Sequence, residues 1–369
     1  MRVVAVLGTR PEVIKLAPVI SELRRNSVFE CLVVSTGQHR EMLDQMLEQF
    51  ELDVDVELAV MQPGQRLADL TAHLISGLGA TISELAPDWI LVQGDTSTTL
   101  CGALAGFYEN VPVAHLEAGL RTGDERSPFP EEANRRLVSQ LAALHLCPTP
   151  RNAENLLFEG VPTDRVLVTG NTVIDALLWA LERARAIEPP VRRVRHRRIL
   201  LTLHRRESHG EAIRRVCGAV RALCARGDVE IVFPVHRSPT VRAAVIPELV
   251  GVDGVHLCEP LDYLSVVHLL DTCDLVLSDS GGLQEEAPAL GKPVLVLRDT
   301  TERYEAVEAG VARLVGTDPE AILGSVRALL DDPAAYAAMA RPANPFGDGR
   351  ASARVVSAIA ERYRASRAA

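Results

Sequence analysis

Lysine is nearly absent from this chain of 369 residues. Lys15 and Lys292 are its only lysines, and arginine supplies the rest of the 39 basic residues. At a phosphate an ammonium acts as a compact point charge, whereas a guanidinium presents a planar fork of donors, so the two are not interchangeable. Lys15 lies near Arg10 in a segment that leads into a predicted helix, and we interpret it as the functional lysine. Lys292 lies in a Gly-Lys-Pro turn before a strand, where a structural role is favoured.

Motifs that define several large enzyme classes are also absent. The chain has no Gly-x-x-x-x-Gly-Lys-Ser/Thr loop, no Gly-x-Gly-x-x-Gly after its first predicted strand and no His-Glu-x-x-His. Kinase, dinucleotide-dependent dehydrogenase and zinc-protease functions therefore lack support. The ten histidines show no metal-ligand spacing, so the sequence predicts no metal site.

No apolar run is long enough to span a bilayer, and the residues after Met1 enter a predicted strand directly. We therefore expect a cytoplasmic protein without a membrane partner. The formal net charge of -10 argues against a general nucleic-acid partner. Seven cysteines form an odd set without a Cys-x-x-Cys pair, which predicts buried thiols in a reducing compartment and no disulfides.

Short β-branched runs alternate with amphipathic helices along the chain, a pattern typical of parallel sheets with helices on both faces. Eleven strands are too many for one open sheet, so we predict an α/β fold of two doubly wound, Rossmann-like domains. The boundary between them is expected near Gly170. Ligands of such sheets bind beyond the carboxyl ends of the strands, so the functional site is expected in the cleft between the domains. The predicted strands are Val3–Leu7, Cys31–Ser35, Trp89–Gln93, Val113–Leu116, Leu144–Cys147, Val166–Thr169, Ile199–Leu203, Ile231–Pro234, Val255–Leu257, Leu275–Ser278 and Val294–Leu297.

Residues 278–293 lie between two predicted strands and carry adjacent glycines where a short helix begins. The absence of Cβ atoms at Gly281 and Gly282 lets a ligand approach the backbone, and the helix start offers free N–H groups to a phosphate. Glu285 and Glu286 are expected in the first turn, where one carboxylate can accept hydrogen bonds from sugar hydroxyls. The segment predicts a phosphorylated sugar, most simply a nucleotide. An ordinary strand–turn–helix with a glycine-rich turn is the structural alternative.

Three carboxylates lie just beyond predicted strands or at a helix start in the first domain. Asp95 and Glu117 each follow a strand, and Glu131 opens a helix after two prolines. Clustered carboxylates suit proton transfer near neutral pH, with cations and His204 available from the second domain. A helix N-cap role for Asp95 and a first-turn role for Glu131 are equally compatible with the sequence. Glu117, followed by Ala-Gly, has little structural purpose at its position.

Short motifs in a fixed order along nearly the whole chain resemble those of the non-hydrolysing UDP-N-acetylglucosamine 2-epimerases. The resemblance implies a glycosyltransferase-B type fold, with two Rossmann-like domains facing each other across a cleft. It also implies that the last helix returns to the first domain, so that residues 1–169 and 351–369 form the first domain and 170–350 the UDP-binding one. The matching motifs are Gly8-Thr-Arg-Pro-Glu, Gln38-His-Arg-Glu-Met-Leu, Gly94-Asp-Thr, His115-Leu-Glu-Ala-Gly-Leu-Arg-Thr, Pro130-Glu-Glu-Ala-Asn-Arg, Gly170-Asn-Thr-Val-Ile-Asp, His204-Arg-Arg-Glu-Ser, Pro234-Val-His, Asp279-Ser-Gly-Gly-Leu-Gln-Glu-Glu-Ala-Pro and Arg298-Asp-Thr-Thr-Glu-Arg.

The resemblance implies reversible inversion of C2, from UDP-GlcNAc to UDP-ManNAc, without NAD, a metal or another cofactor. Loss of the C2 proton and elimination of UDP would give 2-acetamidoglucal, to which UDP adds back with the opposite configuration at C2. The implied catalytic residues are Asp95, Glu117, Glu131 and His204, with Glu117 the first candidate for the base. The implied substrate-binding residues are Arg10, Lys15, Ser280, Gly281, Gly282, Glu286 and Arg303.

The chain departs from many relatives at Val266, where an aromatic residue near the uracil is common, and at Tyr304, where proline is common. A modified UDP-sugar therefore stays open as the substrate. Some bacterial relatives hold a second UDP-GlcNAc as an activator, and Arg66 and His236 are the candidates for such an allosteric site. The expected partners are a UDP-sugar and a second copy of the chain. A hydrolysing 2-epimerase that releases ManNAc and UDP, and a glycosyltransferase of the same fold, are the alternative functions.

Overall fold

The computed structural model describes residues 1–37, 40–61, 64–203 and 210–368. Two units emerge, the first made of residues 1–176 and 346–369 and the second of residues 177–345. The chain changes unit a few residues away from the positions expected at 169/170 and 350/351. The last helix of the described chain, Ala351–Ala368, belongs to the first unit and packs on its first helix.

Unit 1 is built on a parallel sheet that has seven strands in the described residues, in the order β3-β2-β1-β4-β5-β6-β7. Its strands are β1 Arg2–Leu7, β2 Glu30–Ser35, β3 Val56–Glu57, β4 Trp89–Gln93, β5 Val113–Leu116, β6 Leu144–Cys147 and β7 Val166–Val168. Its helices are α1 Arg10–Arg25, α2 Arg40–Gln49, α3 Leu67–Leu85, α4 Ser97–Tyr108, α5 Glu131–Leu141, α6 Pro150–Phe158 and the start of α7 Thr172–Ala184, in which the chain passes to unit 2.

Unit 2 is built on a second parallel sheet, with six strands in the described residues and the order β10-β9-β8-β11-β12-β13. Its strands are β8 Arg197–Thr202, β9 Val229–Pro234, β10 Val255–Cys258, β11 Leu275–Ser278, β12 Val294–Val296 and β13 Ala312–Leu314. Its helices are α8 Glu211–Cys224, α9 Pro239–Leu249, α10 Tyr263–Thr272, α11 Gly281–Ala289, α12 Tyr304–Glu308, α13 Pro319–Asp331 and α14 Pro333–Met339, and the helix Ala351–Ala368 that ends unit 1 is α15.

The sequence pattern accounts for how the helices cover the sheets. In α8 the apolar residues Ile213, Val216, Val220 and Leu223 recur at helical spacing, and all four are buried in the core of unit 2. Strand β1 is buried along nearly its whole length, as expected for a central parallel strand covered on both faces. Six of the seven cysteines are buried, the seventh is partly buried and all are free thiols, which confirms that they fill the core.

All eleven predicted strands are present, and two short ones, β3 and β13, were not predicted. In both, apolar residues alternate with charged ones over only two or three positions, as in Val56-Glu57 and Ala312-Arg313-Leu314, so neither gives a continuous apolar run. Each is the outermost strand on one side of its sheet, where a single neighbour suffices.

The strand order of each sheet reverses beside its first strand, between β1 and β4 in unit 1 and between β8 and β11 in unit 2. The connections leave such neighbouring strands toward opposite faces, so a crevice opens beyond their carboxyl ends. In unit 1 this position is occupied by the loops at residues 8–9 and 94–96. In unit 2 it is occupied by the loop at residues 279–280.

Candidate functional site

Glu117 is held in an unusual backbone conformation directly after β5. Its φ is +63°, a left-handed conformation that costs a residue with a Cβ roughly 1–2 kcal/mol. The residue is 7% exposed, and its carboxylate pairs with the Lys15 ammonium and accepts hydrogen bonds from the side-chain amides of Gln93 and Asn171. The surroundings therefore fix the carboxylate of a strained residue at the end of a central strand.

The turn after Glu117 is pressed against α6. Gly119 has a φ of +88°, and a Cβ at this position would lie 2.1 Å from the backbone oxygen of Asn152. The carbonyl of Gly119 accepts a hydrogen bond of 2.9 Å from the side chain of Asn155. The Glu-Ala-Gly sequence thus places Glu117 by packing its turn onto a neighbouring helix, which explains the glycine two residues later.

Asp95 lies in the turn between β4 and α4 but is not the N-cap of that helix. Thr96 is the N-cap, and its hydroxyl accepts from the Thr99 N–H at 3.2 Å. The Asp95 carboxylate instead pairs with Arg135, whose Nε and Nη2 lie 2.9 and 2.5 Å from Oδ2. The Asp95 carbonyl accepts from the Asn134 amide at 2.8 Å. Two consecutive residues of α5 therefore hold the turn that carries Asp95.

Glu131 is the first residue of α5, which agrees with the expectation that it opens a helix. Its Oε2 is buried and has no hydrogen-bond partner within the described ranges. The next residue, Glu132, is fully buried and pairs with Arg135 at 3.0 Å. The two adjacent glutamates therefore differ, since Glu132 stabilises the packing of α5 and Glu131 keeps a buried oxygen unused.

The two predicted cations of unit 1 both belong to α1. Arg10 is its first residue, and Lys15 is buried one turn later against Glu117. Between them Glu12, to which the sequence assigned no role, accepts from the N–H groups of Gly8 and Thr9, both at 2.7 Å, and from the side chain of Thr96 at 2.5 Å. Burial raises the pKa of Glu12, although these hydrogen bonds lower it. Glu12 ties the loop after β1 to the loop after β4.

Two buried histidines lie side by side in the neighbouring strands β5 and β6 of unit 1. His115 of β5 and His145 of β6 are register partners with ring centroids 6.5 Å apart, and His115 Nε2 lies 2.7 Å from the carbonyl oxygen of Gly94. Burial lowers the pKa of His115 to about 4 and the pKa of His145 to about 3. Both rings are therefore neutral in the folded protein at neutral pH, and protonation in the unfolded chain near pH 6.5 favours unfolding.

The substitution His145→Leu is expected to make the protein less sensitive to acid. A histidine whose pKa is lowered on folding stabilises the folded state fully above pH 6.5, and this stability is lost as the pH falls toward 3. Between pH 7 and pH 5 the free energy of unfolding of His145→Leu should fall by about 1 to 2 kcal/mol less than that of the wild type. Urea denaturation at both pH values measures this difference, and equal losses would contradict it.

In unit 2 the two glycines open α11 as predicted, but the backbone around them is partly engaged. Ser280 is the N-cap residue, and its N–H donates to the Ser278 hydroxyl at 2.9 Å, so this amide is already paired. A Cβ on Gly281 would lie 3.2 Å from the guanidinium carbon of Arg303, whereas Gly282 meets only ordinary contacts. The space left by Gly281 is thus occupied by a side chain of the protein.

Glu285 and Glu286 lie in the second turn of α11, and the prediction that they lie in the first turn is wrong. The helix begins at Gly281, so three further residues separate its start from Glu285. Glu285 Oε1 accepts from Arg303 Nε at 2.8 Å, and Glu286 Oε1 accepts from the Tyr263 hydroxyl at 2.7 Å. The two carboxylates therefore have different protein partners.

Arg303 is buried in a polar network that joins α11 to the segment before α12. Besides Glu285, this network includes the hydrogen bond from the Thr301 hydroxyl to Gln284 at 2.5 Å and the ion pair of Arg298 with Glu302 at 3.0 Å. The backbone N–H of Arg303 donates to the Thr301 hydroxyl at 3.0 Å. Such a network fixes a guanidinium beside the start of α11, where an anionic group is favoured.

Three predicted residues remain, namely Arg66, His236 and His204. Arg66 is exposed at the start of α3 and pairs with Asp69, with Nε 2.9 Å from the carboxylate. His236 is exposed after β9, and its Nδ1 accepts from the Ser238 N–H at 3.1 Å. His204 lies outside the described residues.

The described ranges contain neither a membrane-spanning helix nor a cluster of metal ligands. Every helix in them is too short or too polar to cross a bilayer. Nowhere in them do three or more His, Cys, Asp or Glu side chains come together as a candidate metal site.

Several side chains that hold the candidate residues were not predicted from sequence to have a role. The spacing of Asn134 and Arg135 could have indicated them, because they follow Glu131 by three and four positions and so share its side of α5. Other supporting residues could not be found from local spacing, since their partners are distant in sequence, as for the pair of Tyr263 and Glu286. The supporting residues that were missed are Glu12, Gln93, Asn134, Arg135, Asn171, Tyr263 and Gln284.

The similarity to known proteins extends over almost the whole chain. The model of a family described as UDP-N-acetylglucosamine 2-epimerase matches residues 21–360. A Ralstonia nicotianae protein named probable UDP-N-acetylglucosamine 2-epimerase is 54% identical over 368 residues, which cover 97% of this chain and 98% of that protein.

Solved structures of similar proteins agree with this match. The crystal structure of UDP-GlcNAc 2-epimerase from Neisseria meningitidis bound to UDP-GlcNAc has a TM-score of 0.93 and 46% identity, covering 98% of this chain and 100% of that one. The Methanocaldococcus jannaschii UDP-GlcNAc 2-epimerase in complex with UDP-GlcNAc and UDP has a TM-score of 0.85 and 32% identity, with coverages of 98% and 100%. The fold is therefore of the glycosyltransferase-B type, and the chain belongs to the UDP-N-acetylglucosamine 2-epimerase family.

Proposed function

We propose that this protein interconverts UDP-GlcNAc and UDP-ManNAc by inversion at C2, without net hydrolysis. The observation that carries the proposal is the buried carboxylate of Glu117, ion-paired with Lys15 at the end of a central strand of unit 1. A general base must be positioned to reach the proton that it removes, and the contact with Lys15 holds this carboxylate in place. The Neisseria relative bound to UDP-GlcNAc supports the choice of substrate.

The proposed reaction begins when a carboxylate takes the proton from C2. The electrons of the C2–H bond form the C1–C2 double bond of 2-acetamidoglucal, and the C1–O bond breaks with its electrons leaving on UDP. Re-addition of UDP at C1 and of a proton at C2 from the opposite face gives the other epimer. The Methanocaldococcus relative in complex with both UDP-GlcNAc and UDP is consistent with a site that retains the leaving group.

Among the three carboxylates we propose Glu117 as the base. Asp95 is the weakest candidate, because Arg135 binds its Oδ2 through two nitrogens. Glu131 is the stronger rival, because its buried Oε2 has no hydrogen-bond partner in the described part of the chain and is available to a substrate. We propose that Lys15 acts on the carboxylate of Glu117, with which it pairs, more than on the diphosphate.

We propose that cations and backbone amides bind the UDP group. Arg10 and His204 would neutralise the diphosphate as charge develops on the leaving group, together with the N–H groups at the start of α11. Glu286, whose carboxylate is oriented by Tyr263, would accept hydrogen bonds from the ribose hydroxyls. Arg303 would lie at the nucleotide end, beside Gly281.

Product analysis tests the proposed function. The purified protein is incubated with UDP-GlcNAc, and the products are followed by phosphorus and proton NMR. We expect a mixture of two intact UDP-sugars and no accumulation of free UDP. Free ManNAc with stoichiometric UDP would identify a hydrolysing 2-epimerase instead. No reaction without an added acceptor would favour a glycosyltransferase.

We also propose that two copies of the chain associate through α4. Its residues Leu100, Leu104, Phe107 and Tyr108 recur at helical spacing, and the two aromatic side chains are 59% and 66% exposed although aromatic residues make up only 4% of the chain. Aromatic side chains are enriched in the buried centres of protein interfaces. The double substitution Phe107→Glu and Tyr108→Glu should convert a dimer to a monomer in sedimentation velocity. Phe158→Glu, which changes a 94% exposed residue of α6, is the control, and a wild-type monomer would contradict the proposal.

A further inference from the structure

The two chain connections of unit 1 to unit 2 meet at Asn171. The chain leaves unit 1 after Ala176 and re-enters it at Phe346. The N–H of Asn171 donates to the carbonyl of Phe346 at 2.5 Å, and a Cβ on Gly170 would lie 3.3 Å from Gly347 Cα. The outgoing and returning segments are therefore in direct backbone contact at this residue, which is only 2% exposed.

The side-chain amide of Asn171 is fixed on both sides. Its Oδ1 accepts from the N–H of Val173 at 3.0 Å, a helix-capping bond at the start of α7. Its Nδ2 donates to Glu117 Oε1 at 3.2 Å. Because the N–H of Val173 requires an acceptor and the carboxylate requires a donor, only one orientation of the amide satisfies both partners.

The residue after Asn171 reinforces the same connection. The hydroxyl of Thr172 donates to the backbone carbonyl of Lys15 at 2.6 Å, and the Lys15 ammonium binds the same Glu117 oxygen as Asn171. Two consecutive residues at the start of α7 therefore contact the Glu117 site, one directly and one through α1. Helix capping uses only Oδ1 of Asn171. The contact of its Nδ2 with Glu117 therefore has no part in the cap.

We propose that Asn171 is a positioning residue of the reaction, whose amide orients the Glu117 carboxylate and ties that orientation to the two connecting segments. The inference rests on the proposed epimerisation with Glu117 as the base. Asn171 does not exchange a proton with the substrate. It restricts the carboxylate to one orientation, and a displacement of about 1 Å at a reacting group can cost about a hundredfold in rate.

Two substitutions separate positioning from helix capping, because both keep an acceptor for the Val173 N–H. Asn171→Ser is too short to reach Glu117. We expect it to lower the rate of C2 proton exchange by about tenfold to a hundredfold while the UDP dissociation constant stays within about twofold. Asn171→Asp places a second carboxylate beside Glu117, which disfavours ionisation of the pair. The acidic limb of its kcat/KM profile should move up by about one pH unit.

The control is Asp318→Ser in unit 2, which makes a similar cap change at the start of α13, where Asp318 accepts from the Ala321 N–H at 3.0 Å. It should leave both the exchange rate and the pH profile unchanged. An unmoved acidic limb in Asn171→Asp overturns the inference. If that variant does not fold, Asn171→Ser decides, and a loss of exchange below tenfold overturns it. A wild type that exchanges no C2 proton refutes the proposed function itself, which is a distinguishable outcome.

Discussion

The substitution Glu117→Gln is expected to lower the rate of epimerisation by about a hundredfold to ten-thousandfold, the range that a positioned general base contributes. Glutamine keeps the size of the side chain and its contact with Asn171 but cannot take the C2 proton. UDP binding should remain close to that of the wild type, because the proposed UDP groups lie on other residues. Turnover by NMR and UDP affinity by calorimetry measure the two effects separately.

The change also leaves the buried Lys15 without its carboxylate, so its effect on stability has to be separated from its effect on chemistry. Glu230→Gln provides a matched control, since Glu230 is a fully buried carboxylate of β9 that lies 2.6 Å from its cationic partner Arg198. Removing one partner of a buried pair typically costs about 3 to 5 kcal/mol of stability. Both variants should lose stability, and only Glu117→Gln should lose turnover per folded molecule. Substantial residual turnover in Glu117→Gln would pass the role of base to Glu131.

The substitution Gly119→Ala is expected to destabilise unit 1 by about 2 to 5 kcal/mol, from the left-handed backbone together with an overpacked contact. The φ of Gly119 is +88°, and the new Cβ would lie 2.1 Å from the backbone oxygen of Asn152. A backbone oxygen in a helix cannot rotate away as a side chain can. The turn must therefore move, and Glu117 moves with it, so activity should fall as well.

Gly160→Ala isolates the conformational part of this effect. Gly160 has nearly the same φ, +87°, but no atom lies within 4 Å of a Cβ built there. It should cost only about 1 to 2 kcal/mol and leave activity unchanged. Urea denaturation of both variants gives the difference, which is the cost of the contact with Asn152. Equal losses of stability would show that the turn relaxes freely and that the packing of Gly119 does not position Glu117.

The sequence predicted the regular architecture because that architecture follows from local patterns. Apolar runs separated by amphipathic segments indicated eleven strands, and the Gly281-Gly282 pair indicated the start of α11. Strands β3 and β13 were not predicted, because two or three residues of alternating polarity form no continuous apolar run. Glu285 and Glu286 were placed one turn too early, because they are the fifth and sixth residues of a helix that begins at Gly281, and a turn has only about 3.6 residues.

The candidate carboxylates could be identified from sequence, whereas their partners could not. Asp95 illustrates the limit, because a hydroxyl-rich helix start follows it and yet its carboxylate binds Arg135, forty residues further along the chain. Asn171 is more distant still, with its Glu117 contact spanning 54 positions. Such contacts are set by the order of strands in the sheet, which no local spacing encodes.

Above all, we propose that a carboxylate of this chain removes the C2 proton of an intact UDP-sugar. The most direct test is to incubate wild-type protein with UDP-GlcNAc in deuterated water and to follow the C2 proton by NMR. The proposed function predicts that deuterium enters C2 of both epimers while the nucleotide sugars stay intact. Interconversion of the epimers with the C2 proton fully retained would contradict it.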